Sequence, residues 1–228
     1  MPYPVKRPMT RMAVPENPTR PSLTREQVLR TALSYVDELG LDALSMHKLG
    51  ARLGVKAMSL YNHVDDKADL LNGLVELLWS EMAPTEGVDD WRQRLRAMAD
   101  GIRETMRAHP AAASLLMTRP VLPVGALRIF KTHLDALEEA GFTRARAVQT
   151  VQAVVWYAFG SALSECCWSC AAAAAGSELA RLRQVSRMLP GDVPDDLLQV
   201  AMEVCGDCDL DGSFELGLDL MLKGLEAG

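Results

Sequence analysis

The 228-residue sequence has few aromatic residues and no run of alternating polar and apolar residues of the kind that strands need. Aromatic side chains make up 5% of the chain, whereas alanine and leucine are abundant. Aromatic and β-branched residues favour strands, and alanine and leucine favour helices. The composition therefore predicts an all-α fold.

Long hydrophobic segments and a signal-peptide core are also missing. The apolar stretch over residues 151–159 is shorter than the ~18 residues that span a bilayer, and Glu165 closes it. Residues 1–21 hold six of the twelve prolines, together with several arginines, where a signal peptide has its apolar core. We therefore predict a cytoplasmic protein without a membrane partner and a disordered basic arm over residues 1–21.

The five cysteines are an odd number, and a disulfide framework is not expected in a reducing compartment. Two pairs have the Cys-x-x-Cys spacing of metal-binding knuckles, Cys167 with Cys170 and Cys205 with Cys208. The gap between the pairs is longer than in zinc ribbons, so we predict no bound metal. A regulator that senses a metal or a thiol through these four cysteines stays open as an alternative.

Residues suited to catalysis are scarce. The four histidines do not have a metal-binding spacing, and neither a glycine-rich phosphate loop nor a nucleophile elbow occurs. The acidic run that begins at Asp207 resembles an EF-hand loop, but its twelfth position is Leu218 where calcium needs a bidentate Glu. We expect no enzyme and no cofactor, and we interpret the run as the cap of the last helix. A ligand-free interaction protein is the other class to test.

Charge is unevenly distributed along the chain. The net charge is −6, yet residues 1–67 carry ten Lys and Arg against seven Asp and Glu, and the remainder carries 14 against 23. A basic N-terminal part on an acidic body is typical of a protein that contacts phosphates at one end.

Helix start and stop signals divide the N-terminal part into three short helices. Thr24 and Gln27 form a capping box before an apolar helical face that ends at Gly40. Ser45 can cap a second helix that ends at Gly54, and a third follows over about residues 56–62. A helix, a tight glycine-bearing turn and a second helix form the unit that places one helix in the major groove of DNA. We predict a DNA-binding domain over residues 22–68.

Further helices are predicted over the larger C-terminal part, residues 69–228. Asp66 caps a helix that reaches residue 79 or 82, and a helix over residues 91–108 stops before Pro110. Others are expected over residues 124–140, from Thr143 to about residue 175, before the Pro190-Gly191 turn, after Pro194, and over residues 214–225. Residues 120–123 are interpreted as a turn.

The residues of the N-terminal domain resemble a known family. Segments 49–55, 59–64 and 67–71 read LGARLGV, SLYNHV and KADLL and are similar to the signature of the TetR family of repressors. The resemblance implies an N-terminal helix-turn-helix domain and a larger C-terminal helical domain for ligand binding and dimerisation. It also implies a double-stranded DNA operator as partner.

The resemblance, supported by side-chain chemistry, assigns DNA contacts to individual positions. Base edges are expected at the start of the recognition helix, phosphates at its end and in the helix that follows. His47 occupies the place of a base-reading arginine in tetracycline-binding members, so their operator is not expected to be shared. The predicted contacts are Ser45, His47, Lys56, Ala57, Met58, Ser59, Tyr61, His63 and Lys67.

The C-terminal domain resembles the tetracycline-repressor branch more loosely, through Thr118-Arg119-Pro120, Ala140-Gly141-Phe142 and Phe159-Gly160. The branch implies a homodimer in which the helices from about Arg144 and Phe214 pair with their symmetry mates. It also implies a small-molecule inducer. Leu115 stands where tetracycline-binding members use a histidine to hold a magnesium–drug chelate, so we expect a different, apolar inducer.

Candidate ligand-binding residues combine apolar walls with polar anchors. We predict that the inducer shifts the population towards a conformer that no longer matches the operator. The candidates are Met98, Met106, His109, Leu115, Arg119, Trp156 and Phe159.

Overall fold

The computed structural model describes residues 23–82, 90–172, 186–187, 189–205 and 209–225. Over these residues the chain is helical and contains no strand, as the composition predicted. A short 3-10 turn, Leu41–Ala43, separates the first two helices. The helices are α1 Arg25–Leu39, α2 Met46–Leu53, α3 Ala57–Leu60, α4 Lys67–Glu81, α5 Trp91–Ala108, α6 Pro110–Thr118, α7 Val124–Glu139, α8 Arg144–Ala172, α9 Asp195–Cys205 and α10 Leu210–Lys223.

The caps predicted for the first helices are present. Thr24 Oγ1 accepts a hydrogen bond from Gln27 N at 3.2 Å, and Gln27 Oε1 accepts one from Thr24 N at 3.0 Å. Gly40 ends α1 with a φ of 85°. Ser45 and Asp66 cap α2 and α4 by accepting from backbone N–H groups three residues later. These caps satisfy backbone donors that the first turn leaves free, so helix starts follow from local sequence.

Helices α1 to α3, with the turn to α4, form a small unit that we call the reading head. Its apolar side chains pack against the first half of α4, which leads into the rest of the chain. The fully buried side chains of this part include Val28, Ala32, Leu49, Leu60, Leu70 and Leu74.

Helices α5 to α10 form what we call the body. Here α5 and α8 make the most extensive helix–helix contact of the described residues. Leu95, Ile102 and Met106 of α5 are buried, as are Val154 and Ala158 of α8. Helix α10 adds Phe214, Leu218 and Leu222, spaced at one helical turn. The core is therefore a layered packing of helices. None of the described helices has the length and hydropathy needed to cross a bilayer.

Two predictions about helices were wrong. Helix α6 was missed, because Pro110 was interpreted only as a stop for α5, whereas it occupies the first turn of a new helix, where proline needs no N–H partner. The last helix begins at Leu210 and not at Phe214, because Asp209 Oδ1 accepts from Gly212 N at 2.8 Å. The acidic run is thus a helix cap, as proposed. The predicted arm over residues 1–21 and residues 173–175 of the long helix lie outside the described residues.

Candidate nucleic-acid interface and ligand-binding core

The angle between α2 and α3 depends on two glycines. Gly54 ends α2 with a φ of 68°, a left-handed conformation that favours glycine. A Cβ on Gly50 would lie 3.0 Å from Val55 O and 3.1 Å from Ala57 N, which is tighter than most Cβ contacts, so glycine helps the turn to fold back this closely. Because the neighbours are backbone atoms, they would move aside less easily than a side chain. The two glycines therefore favour the tight turn between α2 and α3.

The predicted DNA-contacting residues lie on α2, on α3 and in the first turn of α4. Met58 is 74% exposed and Tyr61 is 44% exposed, which is unusual for large apolar and aromatic side chains. His47, Lys56 and Lys67 are also exposed, whereas Ser45, Ala57, Ser59 and His63 are half-buried. The Ser45 hydroxyl serves as the α2 cap by accepting from Lys48 N at 3.3 Å.

Arg25 and Asp69 form a clamp that holds the α3–α4 turn, and sequence reasoning missed it. Arg25 donates from Nη1 to His63 O at 2.8 Å, and its guanidinium pairs with both carboxylate oxygens of Asp69 at 2.8 and 2.9 Å. Asp69 also accepts from Asp65 N at 3.0 Å. The hydrogen bond from Arg25 lowers the pKa of Asp69. Arg25 and Asp69 are 44 positions apart, so no local pattern signals the pair.

The other arginines of the reading head are engaged as well. Arg30 pairs with Glu26 at 2.9 Å, one turn away in α1. Arg52 of α2 pairs with Glu38 of α1, and its guanidinium lies 5.7 Å from the centre of the Tyr35 ring. Arg52 therefore joins α2 to α1, whereas Arg30 is paired within α1. With these arginines paired, lysines, a tyrosine and Met58 dominate the exposed side chains at α3.

The two polar ligand candidates contact helices of the DNA-binding side. The ring of His109 lies between α1 and α4, with Nδ1 2.7 Å from Asp37 Oδ2 and Nε2 2.7 Å from Glu81 Oε2. Ionised carboxylates only accept hydrogen bonds, so the ring satisfies both when each nitrogen carries a proton. Arg119 donates to Asn72 Oδ1 at 2.7 Å and to Ala68 O at 3.3 Å, both on α4. The two ends of α6 are thereby attached to α4.

The apolar ligand candidates divide into an inner set and one outer residue. Met98, Met106, Leu115 and Phe159 are buried and belong to one hydrophobic cluster. Trp156 is 65% exposed on α8, so it does not line this interior. Trp79 of α4, which the sequence did not single out, packs edge-on against Phe159 at 6.1 Å and Phe130 at 5.4 Å.

A buried charged network joins α5, α8 and α10. Arg103 donates from Nε to Glu165 Oε1 at 2.6 Å and from Nη2 to Leu210 O at 2.9 Å, and Glu165 is 2% exposed. Arg107 also pairs with Glu165 and contacts Asp211 at 2.7 Å. Arg103 lies 4.2 Å over the ring of Phe214. The first turn of α10 is thus attached to α5 by the buried Arg103 and the partly exposed Arg107.

The structure gives no support to a metal site. Over the part of the chain that is described, no three His, Cys, Asp or Glu side chains come together to hold an ion. The structure does not describe the side chains of the four cysteines on which the metal-sensing alternative depends, Cys167, Cys170, Cys205 and Cys208. It therefore gives that alternative no support.

Comparisons with known proteins agree with a helix-turn-helix unit followed by a larger helical body. Residues 83–228 match the family model of the tetracyclin repressor-like C-terminal domain. An HTH-type transcriptional regulator of Saccharopolyspora erythraea is 36% identical over 151 residues, which is 66% of this chain and 64%, just under two thirds, of that relative. The class C tetracycline repressor protein of Escherichia coli is 30% identical over 209 residues, covering 90% of this chain and 91% of the repressor.

A solved structure gives the same result for the fold. The Streptomyces coelicolor TetR family protein ActR, crystallised in complex with actinorhodin, superposes with a TM-score of 0.71 at 25% sequence identity. The match covers 90% of this chain and 96% of that one. The similarity therefore extends over both the reading head and the body. With a family model on the body and homologous repressors along nearly the whole length, the chain belongs to the TetR family of transcriptional regulators.

Proposed function

We propose that the chain is a ligand-responsive repressor that binds a palindromic operator as a homodimer and is released by a small apolar molecule. The observation that carries the proposal is the exposed surface at α3. Met58 and Tyr61 are exposed on α3 and at its C-terminal end, between the tight turn at Gly50 and the Arg25–Asp69 clamp. An exposed element of this kind can read base edges in a major groove, which is wide enough for a helix.

Each predicted contact has a chemical role in this proposal. Ala57, Met58 and Ser59 reach base edges, and the uncharged Met58 is suited to the methyl group of thymine. Lys56, also a candidate for guanine, and Lys67 supply positive charge to phosphates. Tyr61, His63 and Ser45 complete the phosphate contacts, and His47 lies at the α2 position from which a base can be read. We assign these roles to residues 22–68 and ligand binding and dimerisation to residues 69–228.

Helices α8 and α10 supply the dimer surface. Trp156, Leu216 and Leu220 are exposed by 65, 62 and 65%, more than a stable monomer surface usually leaves uncovered on adjacent helices. Ala153 and Gly160 lie on the same outer face of α8 and are exposed, so a second helix can approach closely. A two-fold dimer would present two reading heads about 34 Å apart, one turn of DNA.

The inducer site lies in the apolar core around Met98, Met106, Leu115 and Phe159. Leu115 is 3% exposed and offers no metal ligand, so a magnesium chelate has no donor at that position. Sulfur-containing and aromatic walls suit hydrophobic guests of varied shape. ActR was crystallised with actinorhodin, and we propose an aromatic, largely apolar molecule as the inducer here.

Coupling from the core to DNA runs through α6 and α4. Leu115 of α6 belongs to the apolar core, and the ends of α6 hold α4 through Arg119 and hold both α4 and α1 through His109. An inducer that binds better to a conformer with displaced α6 would shift the reading heads away from the operator spacing. The differential affinity for the two conformers sets the size of the response.

Selection of bound duplexes from a random pool, followed by anisotropy titrations, tests the proposal. The Tyr61→Ala and Lys67→Ala double variant should weaken operator binding by at least tenfold and reduce the salt slope by about 1, because one lysine–phosphate contact is lost. Lys131→Ala, which removes an exposed lysine of the body, is the matched control and should leave binding unchanged.

Each part of the proposal can fail separately. A monomer that ignores every duplex at low salt would overturn the repressor itself. Unchanged binding by the double variant would overturn the contact assignment, and a screen of aromatic compounds in which none releases DNA would overturn the inducer class.

A further inference from the structure

A groove runs along the outer side of the body, between the first part of α8 and the end of α10. Its volume is about 350 Å³, and Val154, Met221 and Leu225 are among the apolar side chains that line it. Thr150 and Ala153 of α8 line it as well. Ala153 also belongs to the exposed face that carries Trp156, so the groove continues the proposed dimer surface.

The hydroxyl of Thr150 is a buried polar group that is not hydrogen-bonded within the described residues of the single chain. The residue is 3% exposed, and its hydroxyl has no hydrogen-bond partner among the described residues. A helical threonine often bonds the carbonyl one turn earlier, but this hydroxyl does not. Buried polar groups without a partner are rare and costly. Because Thr150 lines the groove, a donor that enters the groove can give this hydroxyl a partner.

Trp156 is an exposed side chain that can offer Thr150 a hydrogen-bond donor. It is 65% exposed and lies six positions after Thr150 on α8. An indole combines a large apolar body with one N–H donor, which needs an acceptor when it is buried. The other large apolar side chains exposed beside it, Leu216 and Leu220, have no donor. Trp156 does not line the groove of its own chain.

The spacing of these residues suits a two-fold axis. In an isologous contact, residue i meets residue j and residue j meets residue i. If two α8 helices cross antiparallel at Ala153, each Thr150 lies opposite the partner's Trp156. Ala153, small and exposed, is the residue at which such a crossing needs little room. Arg146 then faces the partner's Gly160, and Gly160 has open space around its Cβ position.

We propose that the partner's Trp156 fills this groove and donates its indole N–H to Thr150, with the two-fold axis at Ala153. The inference rests on the proposed homodimer and adds its register and its anchoring residue. Two symmetric copies of the contact form, one on each side of the axis. The dimer thereby satisfies the Thr150 hydroxyl and covers Trp156, the most exposed aromatic residue among the side chains of α8 that the structure describes.

Cross-linking of the full-length protein tests the register. Ala153→Cys should form a disulfide with its own copy, and a mixture of Thr150→Cys and Trp156→Cys chains should cross-link although neither variant does so alone. Mass spectrometry of the linked peptides separates these bonds from any that involve the five native cysteines. Gln152→Cys, on an exposed position next to the axis residue, is the control and should not link to itself.

Dimer affinity tests the contact. By analytical ultracentrifugation, Trp156→Ala should raise the dimer Kd at least tenfold, as for a buried aromatic anchor. Leu127→Ala, also an exposed apolar residue but on α7, should leave it unchanged. Thr150→Val should raise the Kd a few-fold in the native chain and not in the Trp156→Ala background.

Failure of this inference and failure of the homodimer are distinct. A chain that stays monomeric at all concentrations overturns the homodimer. A stable dimer without the predicted cross-links, or one indifferent to Trp156→Ala, leaves the homodimer standing and overturns the register and the anchor. A groove that instead binds a small molecule with Trp156 still exposed in the dimer overturns them too.

Discussion

The reading head and the body hold their helices together in different ways. In the reading head, arginines pair with carboxylates 4, 14 and 44 positions away. In the body, the arginines of α5 reach partners 58 to 133 positions away, on α8 and near α10. Two of the three pairs in the reading head join residues that are close in sequence, and such pairs are visible in a stretch of sequence. A unit built from remote contacts becomes visible only when the chain is folded.

The two regions also differ in how far their charges are removed from water. The side chains of Arg25 and Asp69 in the reading head are 39 and 28% exposed, whereas those of Arg103 and Glu165 in the body are 8 and 3% exposed. Breaking an ion pair near water costs little stability, because water solvates the remaining charge. Breaking a buried pair costs more, because the remaining charge stays removed from water and loses the partner that compensated for it. The arginine–carboxylate pair therefore positions a turn in the reading head, whereas in the body it stabilises the core.

The largest effect is expected from Arg103→Met. Methionine fills much of the volume but leaves Glu165 with only Arg107 and releases Leu210 O at the start of α10. We expect a loss of about 3 kcal/mol in the free energy of unfolding, typical of a buried pair that loses one member. Urea denaturation followed by circular dichroism measures it.

Arg96→Ala is the matched control, because Arg96 also joins α5 to α10 but pairs with the more exposed Glu215 and Asp219. Its loss should stay at or below about 1 kcal/mol. Equal losses for the two variants would show that burial does not separate these contacts and would remove the contrast between the regions.

The next largest effect is expected from Gly50→Ala in the reading head. The new Cβ would press on Val55 O and on Ala57 N, which are backbone atoms, and overpacking of this kind costs roughly 2 kcal/mol. The turn must open and α3 must move, so operator affinity should fall at least tenfold. Isothermal denaturation and anisotropy measure the two effects. Gly125→Ala, where a Cβ meets nothing within 4 Å, is the control and should leave affinity unchanged without lowering stability.

The reading head shows how much a sequence can reveal. The capping box at Thr24, the caps at Ser45 and Asp66 and the stops at Gly40 and Gly54 lie where the pattern predicted, because each depends on neighbours a few residues away. Five of the nine predicted contacts are exposed, because they lie off the apolar faces of their helices: His47, Lys56, Met58, Tyr61 and Lys67. The Arg25 clamp could not be predicted, because it joins residues with no shared local pattern.

The body shows where this reasoning stops. Pro110 was interpreted as the end of α5, yet the same residue starts α6, and only packing against α1 and α4 decides between the two. His109 and Arg119 were predicted as polar anchors for a ligand, and the folded chain directs them to α4. Composition indicates that a side chain is polar, but not which distant helix it meets.

A smaller effect is expected from Arg25→Met. The pair with Asp69 is partly exposed, so the unfolding free energy should fall by only about 1 kcal/mol. Operator affinity should fall more than this, because the His63 carbonyl and the α3–α4 turn lose their support. Arg30→Met, which removes an exposed pair within α1, should change affinity little. An Arg25→Met chain with native affinity would show that the clamp does not position the contacts.

The smallest effect is a difference in pH dependence between the regions. Burial lowers the pKa of His133 in the body, so below about pH 6.5 the unfolded chain takes up a proton that the folded chain does not. Stability through this group is therefore complete above pH 6.5 and falls as the pH decreases. The hydrogen bond from Arg25 lowers the pKa of Asp69, and stability through that carboxylate is lost only below about pH 3.8.

Urea denaturation at pH 7 and pH 5 distinguishes the two groups. His133→Asn should lose less stability than the native chain between these pH values, because its unfolded state has no ring to protonate. Asp69→Asn should be destabilised by the same amount at both, because the carboxylate remains ionised on either side of folding throughout this range. If His133→Asn instead keeps the native slope, the ring is protonated in the folded chain, and the body contains a buried cation that its packing does not explain.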